Sequence, residues 1–177
     1  SNSGSLFMND IAQLPGNAWF LVHCKSRQER RALANLTEQG YVCYLTHICI
    51  ARKSSAANPS IHKDQALFPG YLFVRLTPDS NWHSLRCTRG VLRVVGFNNR
   101  PYSIDDALIE QIKYRCGDHK PLEPGDKVQV RLGVSAGIDA IFLTADGAER
   151  AVLLVKLLNQ ECRLSVDSTL IEPVLYP

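Results

Sequence analysis

The sequence predicts an α+β fold: a mainly antiparallel four-stranded sheet flanked by helices, followed by a small second domain. Two observations carry this. Short apolar or alternating runs occur at 18–24, 41–53, 68–76 and 91–97, some divided by helical segments and some in near succession; that mixture suits an antiparallel sheet with helices better than a parallel one. The stretch CGDHKPLEPGD (116–126), with two prolines, two glycines and several charges, then breaks the pattern as a linker does. A chain of 177 residues, 45% of them hydrophobic, is long enough for one medium domain or two small ones with cores. The divisions expected are a tail at 1–16, a first domain at 17–115, a linker at 116–123 and a second domain at 124–177.

In order, AWFLVHC (18–24) is the first strand. Ser26 and Glu29 have capping-box spacing, so a helix is predicted over 27–39, ending at Gly40. YVCYLTHICIARK (41–53) reads as one strand rich in β-branched and aromatic residues. SSAANPSIHKDQA (54–66) reads as a polar loop, FPGYLFVRL (68–76) as a turn and third strand, and 79–86 as a short helix. VLRVVGF (91–97) is the fourth strand and NNRPYS a turn. Ser103 with Asp106 is expected to cap a helix over 104–115. DKVQVRL (126–132) alternates as a strand.

Several function classes fare poorly. No apolar run approaches the roughly 20 residues needed to cross a bilayer. The six cysteines form no C-x-x-C pair and the five histidines lack ligand spacing, which disfavours zinc and favours free thiols in a reducing, cytoplasmic setting. His23 and Cys24 are neighbours on a strand and point opposite ways, so they cannot act as base and nucleophile. Asp105-Asp106 is better explained as helix N-terminal charge than as a catalytic pair. No catalysis and no cofactor are expected.

Charge is unevenly distributed. Residues 17–114 hold 13 Lys/Arg against 7 Asp/Glu, net +6, whereas 115–177 hold 7 against 9, net −2; the halves therefore suit different partners, or each other. Arg27, Arg31 and Asn35 are spaced i, i+4, i+8 with Lys25 just ahead of them, a basic helical face suited either to solvent or to phosphates. Tyr71 and Phe73 project from one face of the third strand and Leu72 and Val74 from the other. The aromatic pair needs a cover, from its own helices or from something else.

WFLVHCKSRQERRALANL, FPGYLFVRL, WHSLRCTRGVLRVVGF and PGDKVQVRLG, in this order, resemble the NusG family of transcription elongation factors, over about residues 18 to 172. The resemblance implies an NGN domain, a linker and a KOW-type domain. The CTRGV turn and GAERAVLLVKLLNQECRLSV are similar to the RfaH-type specialised paralogues, a subgroup that includes plasmid-borne ActX-like proteins. What this implies is a monomeric antitermination factor that binds RNA polymerase and suppresses pausing. Tyr71 and Phe73, with Phe68 and Pro69, would meet the clamp helices of the β′ subunit. Trp82, His83 and Ser84 would face the gate loop of the β subunit. Lys25, Arg27, Arg31, Asn35 and Arg89 would meet single-stranded non-template DNA. RfaH carries histidine where this chain has Asn35, so its base preference is open.

The segment 147–168 scores as a helix and as two strands alike. Ala151, Leu154, Val155, Leu158, Cys162 and Val166 share a helical stripe, while Ala151, Leu153, Val155 and Leu157 alternate. Good helix formers, and no Asn-Gly or Asp-Gly turn at 159–161, favour a helical hairpin. Its first helix would be 138–145, its turn 145–147 and its second helix 148–168. Ile141, Phe142, Leu154, Val155 and Leu158 would shield the polymerase face. The alternative is a five-stranded β-barrel that could recruit the ribosome, and RfaH-type relatives imply a switch between the two. A general NusG-like factor, or a KOW-containing RNA- or ribosome-binding module, are the other readings.

Overall fold

A computed structural model of the chain describes residues 18–51, 62–117 and 134–171. The tail, residues 52–61 at the end of the expected 41–53 strand and the start of the 54–66 loop, most of the linker, and the 126–132 strand expected from sequence lie outside the described residues.

Strand β1 (Ala18–Cys24) is followed by helix α1 (Glu29–Glu38), then β2 (Val42–Tyr44), β3 (His47–Ala51), β4 (His62–Ala66) and β5 (Tyr71–Leu76). Helix α2 (Trp82–Arg86) leads to β6 (Val91–Val94), β7 (Gly96–Phe97) and β8 (Arg100–Pro101), then to helix α3 (Asp106–Cys116). Two further helices, α4 (Val134–Leu143) and α5 (Gly147–Ile171), complete the described chain. The central sheet has the order β2-β5-β1-β6, and each neighbouring pair is antiparallel. This is the α+β architecture expected.

The sheet is buried on both faces because its strands alternate two apolar sets. Phe20, Val22, Leu72, Val74 and Leu76 pack with Ala32 and Leu36 of α1 and Trp82 and Leu85 of α2. Trp19, Leu21 and Phe73 point the other way, into a cluster with Leu108, Ile109 and Ile112 of α3. Ile138 and Ile141 of α4 and Leu154, Leu157 and Leu158 of α5 belong to the same cluster. The aromatic face of β5 is therefore roofed jointly by α3 and the α4–α5 hairpin. Burying a side chain such as Phe73 contributes about 2–3 kcal/mol.

Several sequence expectations are corrected. The 41–53 run is two strands, β2 and β3, broken at Leu45-Thr46, and β3 pairs with β4 in what read as a polar loop. Alternation alone could not reveal that 62–66 gains its partner from across that loop. Gln28, not Ser26, is the N-cap of α1, without a side-chain capping bond; Glu29 instead accepts from the Gly70 amide at 2.9 Å. Arg27 precedes the helix with φ +59 and is not on its face. Asp105, not Ser103, is the N-cap position of α3, again without a side-chain capping hydrogen bond. The fourth strand stops at Val94, and β7–β8 form a separate hairpin. Its turn residues Asn98 and Asn99 have φ +51 and +61, the left-handed pair that asparagine tolerates in a two-residue hairpin.

The 147–168 question is answered in favour of helix. Asp146 accepts from the Ala148 and Glu149 amides at 2.8 and 3.4 Å, an N-cap that starts α5 at Gly147. A Cβ on Gly137 would lie 2.7 Å from Leu157 Cδ1, so glycine lets the two helices approach closely.

Candidate functional site

Two surfaces named by the sequence reading, the polymerase-facing residues and the shielding hairpin, meet around the FPGY turn. Gly70 has φ +86, and its carbonyl accepts from the Cys24 amide at 2.8 Å while its amide donates to Glu29. The turn is thus tied to β1 and to α1 at once. That presents Tyr71 at the sheet's end, half-buried and stacked on His23 with ring centroids 4.6 Å apart. Phe68 and Phe73 are buried, 6.1 Å apart edge-on. Pro69 is exposed, and Gly147 of the hairpin turn comes so close that a Cβ there would lie 2.7 Å from Pro69 Cγ.

The sequence reading missed the residue that fastens this contact. Arg150 is 2% exposed. Its Nε donates to the Leu67 carbonyl at 2.8 Å and its Nη2 to the Ala66 carbonyl at 3.3 Å. Its Nη1 donates to the carbonyls of Thr144 and Ala145 at 2.9 and 2.8 Å. One guanidinium fork therefore ties the end of α4, the start of α5 and the strand before FPGY together, with main-chain oxygens as its partners. At the end of α4 the positive charge also faces the negative end of the helix dipole. The only sequence signal was a lone cation at the start of an apolar helical stripe. The expected shielding residues Ile141, Leu154 and Leu158 are buried here and Phe142 and Val155 pack against the cluster, but Ile138 and Leu157 were not anticipated. Arg115 adds an ion pair to Asp139 and lies 4.7 Å over the Phe142 ring, joining α3 to α4.

The basic face gathers on the opposite side of the sheet. Arg31 is exposed on α1, and Lys25, Arg27 and Arg89 are exposed in the turns beside it. Asn35 donates to the Arg89 carbonyl at 3.2 Å, so its amide positions the turn. Gly90 has φ +94, and a Cβ on it would sit 2.8 Å from the Ala32 nitrogen. The Thr-Arg-Gly turn therefore lies directly on the helix, which places Arg89 beside Arg31. Gln39 donates to Thr88 Oγ1 at 2.8 Å and accepts from Ser84 Oγ at 2.5 Å, tying α2 to the same corner.

Trp82 does not face outward as the resemblance implied. It is buried edge-on against Phe20, with centroids 4.8 Å apart at 80°. The reason is its place at the first turn of α2, where the helix must bury its only large aromatic to cover the sheet. His83 is exposed and Ser84 half-exposed.

The thiols of Cys24 and Cys43 are pushed up to about 12 and about 11 by burial, with Glu29 adding to the effect at Cys24, which makes both poor nucleophiles. His23 is pulled below its usual 6.5, first by burial and then by the Arg93 charge. The folded protein then binds the proton less readily than the unfolded chain, so stability holds above 6.5 and falls as pH drops below it. His23→Phe is expected to flatten the fall in denaturant midpoint between about pH 7 and pH 5, measured by tryptophan fluorescence. An unchanged slope would exclude His23 as its source.

Among the described residues no cluster of three or more His, Cys, Asp or Glu could hold a metal, and no helix is long and apolar enough to cross a membrane. Compared with known families, residues 17–113 match the one described as "NusG: Transcription termination factor nusG". Among solved structures, one titled "Domain interaction in Thermotoga maritima NusG" is similar at 20% identity, covering 66% of this chain and 67% of that one with a TM-score of 0.39. The family match spans more than half of the 177 residues, and the chain belongs to the NusG family, which is a family of transcription factors and not of enzymes.

Proposed function

We propose that this protein is a specialised transcription antitermination factor whose own C-terminal hairpin blocks its polymerase-binding face. The FPGY turn and β5 would dock on RNA polymerase, with Tyr71 and Phe73 against the β′ clamp helices and His83 and Ser84 toward the β gate loop. Lys25, Arg31, Asn35 and Arg89 would hold single-stranded non-template DNA, the phosphates fixing position. The observation that carries the reading is that Phe68 and Phe73 share one buried cluster with Ile138, Ile141, Leu154, Leu157 and Leu158. An apolar docking surface and an apolar hairpin stripe satisfy each other, and neither need face water.

Release of α4–α5 then uncovers the aromatic face. The alternating pattern in 151–157 supports a second packing for the released segment, a KOW-type β-barrel, and two packings within a few kcal/mol of each other suffice for a switch. The test uses the whole chain. Arg150→Met, which unfastens the hairpin, should bind core RNA polymerase at least about tenfold more tightly than the parent, since roughly 1.4 kcal/mol of released docking energy is a factor of ten. Adding Tyr71→Ala in that background should abolish the gain. Equal binding by parent and Arg150→Met would refute the block.

A further inference from the structure

The open edge of the sheet carries a feature that extends beyond the α1 face and the FPGY turn. From Ser80 to Ile104, 25 consecutive residues contain Arg86, Arg89, Arg93 and Arg100 but no Asp or Glu. This stretch builds β6, the edge strand of the four-stranded sheet, and the β7–β8 hairpin beyond it. β6 is irregular: Cys24 pairs with Val91 but His23 pairs with Arg93, so Leu92 is the extra residue of a bulge. Bulges re-aim side chains, and Leu92 is 54% exposed on this edge. The hairpin then presents Phe97, 56% exposed, paired in register with Arg100. The hairpin is a built support for that ring. Gly96 approaches so closely that a Cβ there would lie 2.1 Å from the Arg100 carbonyl, and the turn is the left-handed asparagine pair.

We infer that a single-stranded nucleic acid crossing the α1 face continues along this edge, its phosphates passing Arg89 and Arg93 and one base stacking on Phe97. The inference rests on the DNA-binding reading above and extends it. Three observations carry it. Arg89 and Arg93 lie in a stretch of sequence that holds no Asp or Glu, which complements a phosphate backbone. An exposed ring interleaved with them suits a base, since every base has a flat face. The strip is also continuous with the basic face, because Arg89 belongs to both and is tied to α1 through Asn35. The hairpin helices leave Phe97 exposed, so the strip is open while the polymerase face is covered.

From Arg89 to Phe97 the chain spans at most about 26 Å at 3.3 Å per residue, or about eight nucleotides at 3.4 Å each. Full-length protein should therefore be titrated at low salt with labelled oligo-dT of about 20 and about 6 nucleotides, by fluorescence anisotropy. Phe97→Ala should weaken the longer oligomer about fivefold or more, the scale of one lost stacking contact, and leave the shorter one unchanged. Phe97→Trp should restore the affinity, and its emission should be quenched by DNA. Arg89→Ala should weaken both lengths. If Arg89→Ala weakens binding while Phe97→Ala changes neither length and Phe97→Trp is not quenched, the edge path is wrong and the DNA reading stands. If the parent binds neither oligomer, both fall. If Phe97→Ala lowers polymerase binding in the absence of DNA but leaves the oligo-dT affinities unchanged, the strip is a protein contact instead. Unaltered circular dichroism in the Phe97 variants guards against misfolding.

Discussion

Arg150→Met is expected to loosen the α4–α5 hairpin by about 2–4 kcal/mol, because it strips a charged donor from four carbonyls and leaves buried acceptors without partners. Methionine keeps most of the volume, so the loss is polar and not a cavity. In hydrogen exchange, amides of α4 and α5 should open about thirtyfold or more faster, at 1.4 kcal/mol per factor of ten. Those of β1 and β5 should keep their protection, because Phe20, Val22, Leu72 and Val74 remain under α1 and α2. Arg150→Lys should recover only part of the effect: a compact ammonium can meet some of these oxygens but not both Leu67 and the end of α4 as a planar fork does. Uniform acceleration throughout the chain would mean that the hairpin and the sheet unfold as one unit, and the latch would be no latch.

Gly90→Ala should cost about 3–4 kcal/mol. Two terms combine. A side chain at φ +94 is strained by about 1–2 kcal/mol, and the new carbon would press within 3.0 Å of the Ala32 backbone, which cannot move without shifting α1. Gly40→Ala is the internal reference. It has the same φ of +94, but nothing lies within 4 Å of the new carbon, so it should lose only the strain. The difference between the two denaturation midpoints isolates the steric part. Equal losses would mean that the Thr-Arg-Gly turn can lift from the helix freely, and Arg89 would then have no fixed place beside Arg31.

Much of the central sheet was legible because its signals are local: 18–24 shows as a short apolar run, and Tyr71 and Phe73 against Leu72 and Val74 can be read from a few residues. The helical hairpin was legible through its stripe, though Leu157 scored for strand and in fact lies at the helix crossing against Gly137. What could not be read was anything decided across distance. β4 is a strand only because β3 returns to it. Glu29 looks like a capping residue and instead holds Gly70, 41 positions away. The family resemblance set Trp82 at the surface with His83 and Ser84, but the sheet needed its ring. Arg150 was a lone cation at the start of an apolar helical stripe, and nothing in spacing says that a guanidinium will be swallowed by main-chain oxygens 83 residues earlier.

Those acceptors have a genetic consequence. Where two side chains form a fastening, a lost partner can be rescued by a compensating change opposite, and related sequences drift in pairs. Here the far half of the fastening is peptide carbonyl, common to all twenty residues. Ala66 and Leu67 can vary for packing reasons without touching the bond, and no charge swap at either position can rescue a lost Arg150. A suppressor screen started from an Arg150 variant should return new apolar matter between the hairpin and the Phe68–Phe73 floor, and never a reciprocal charge.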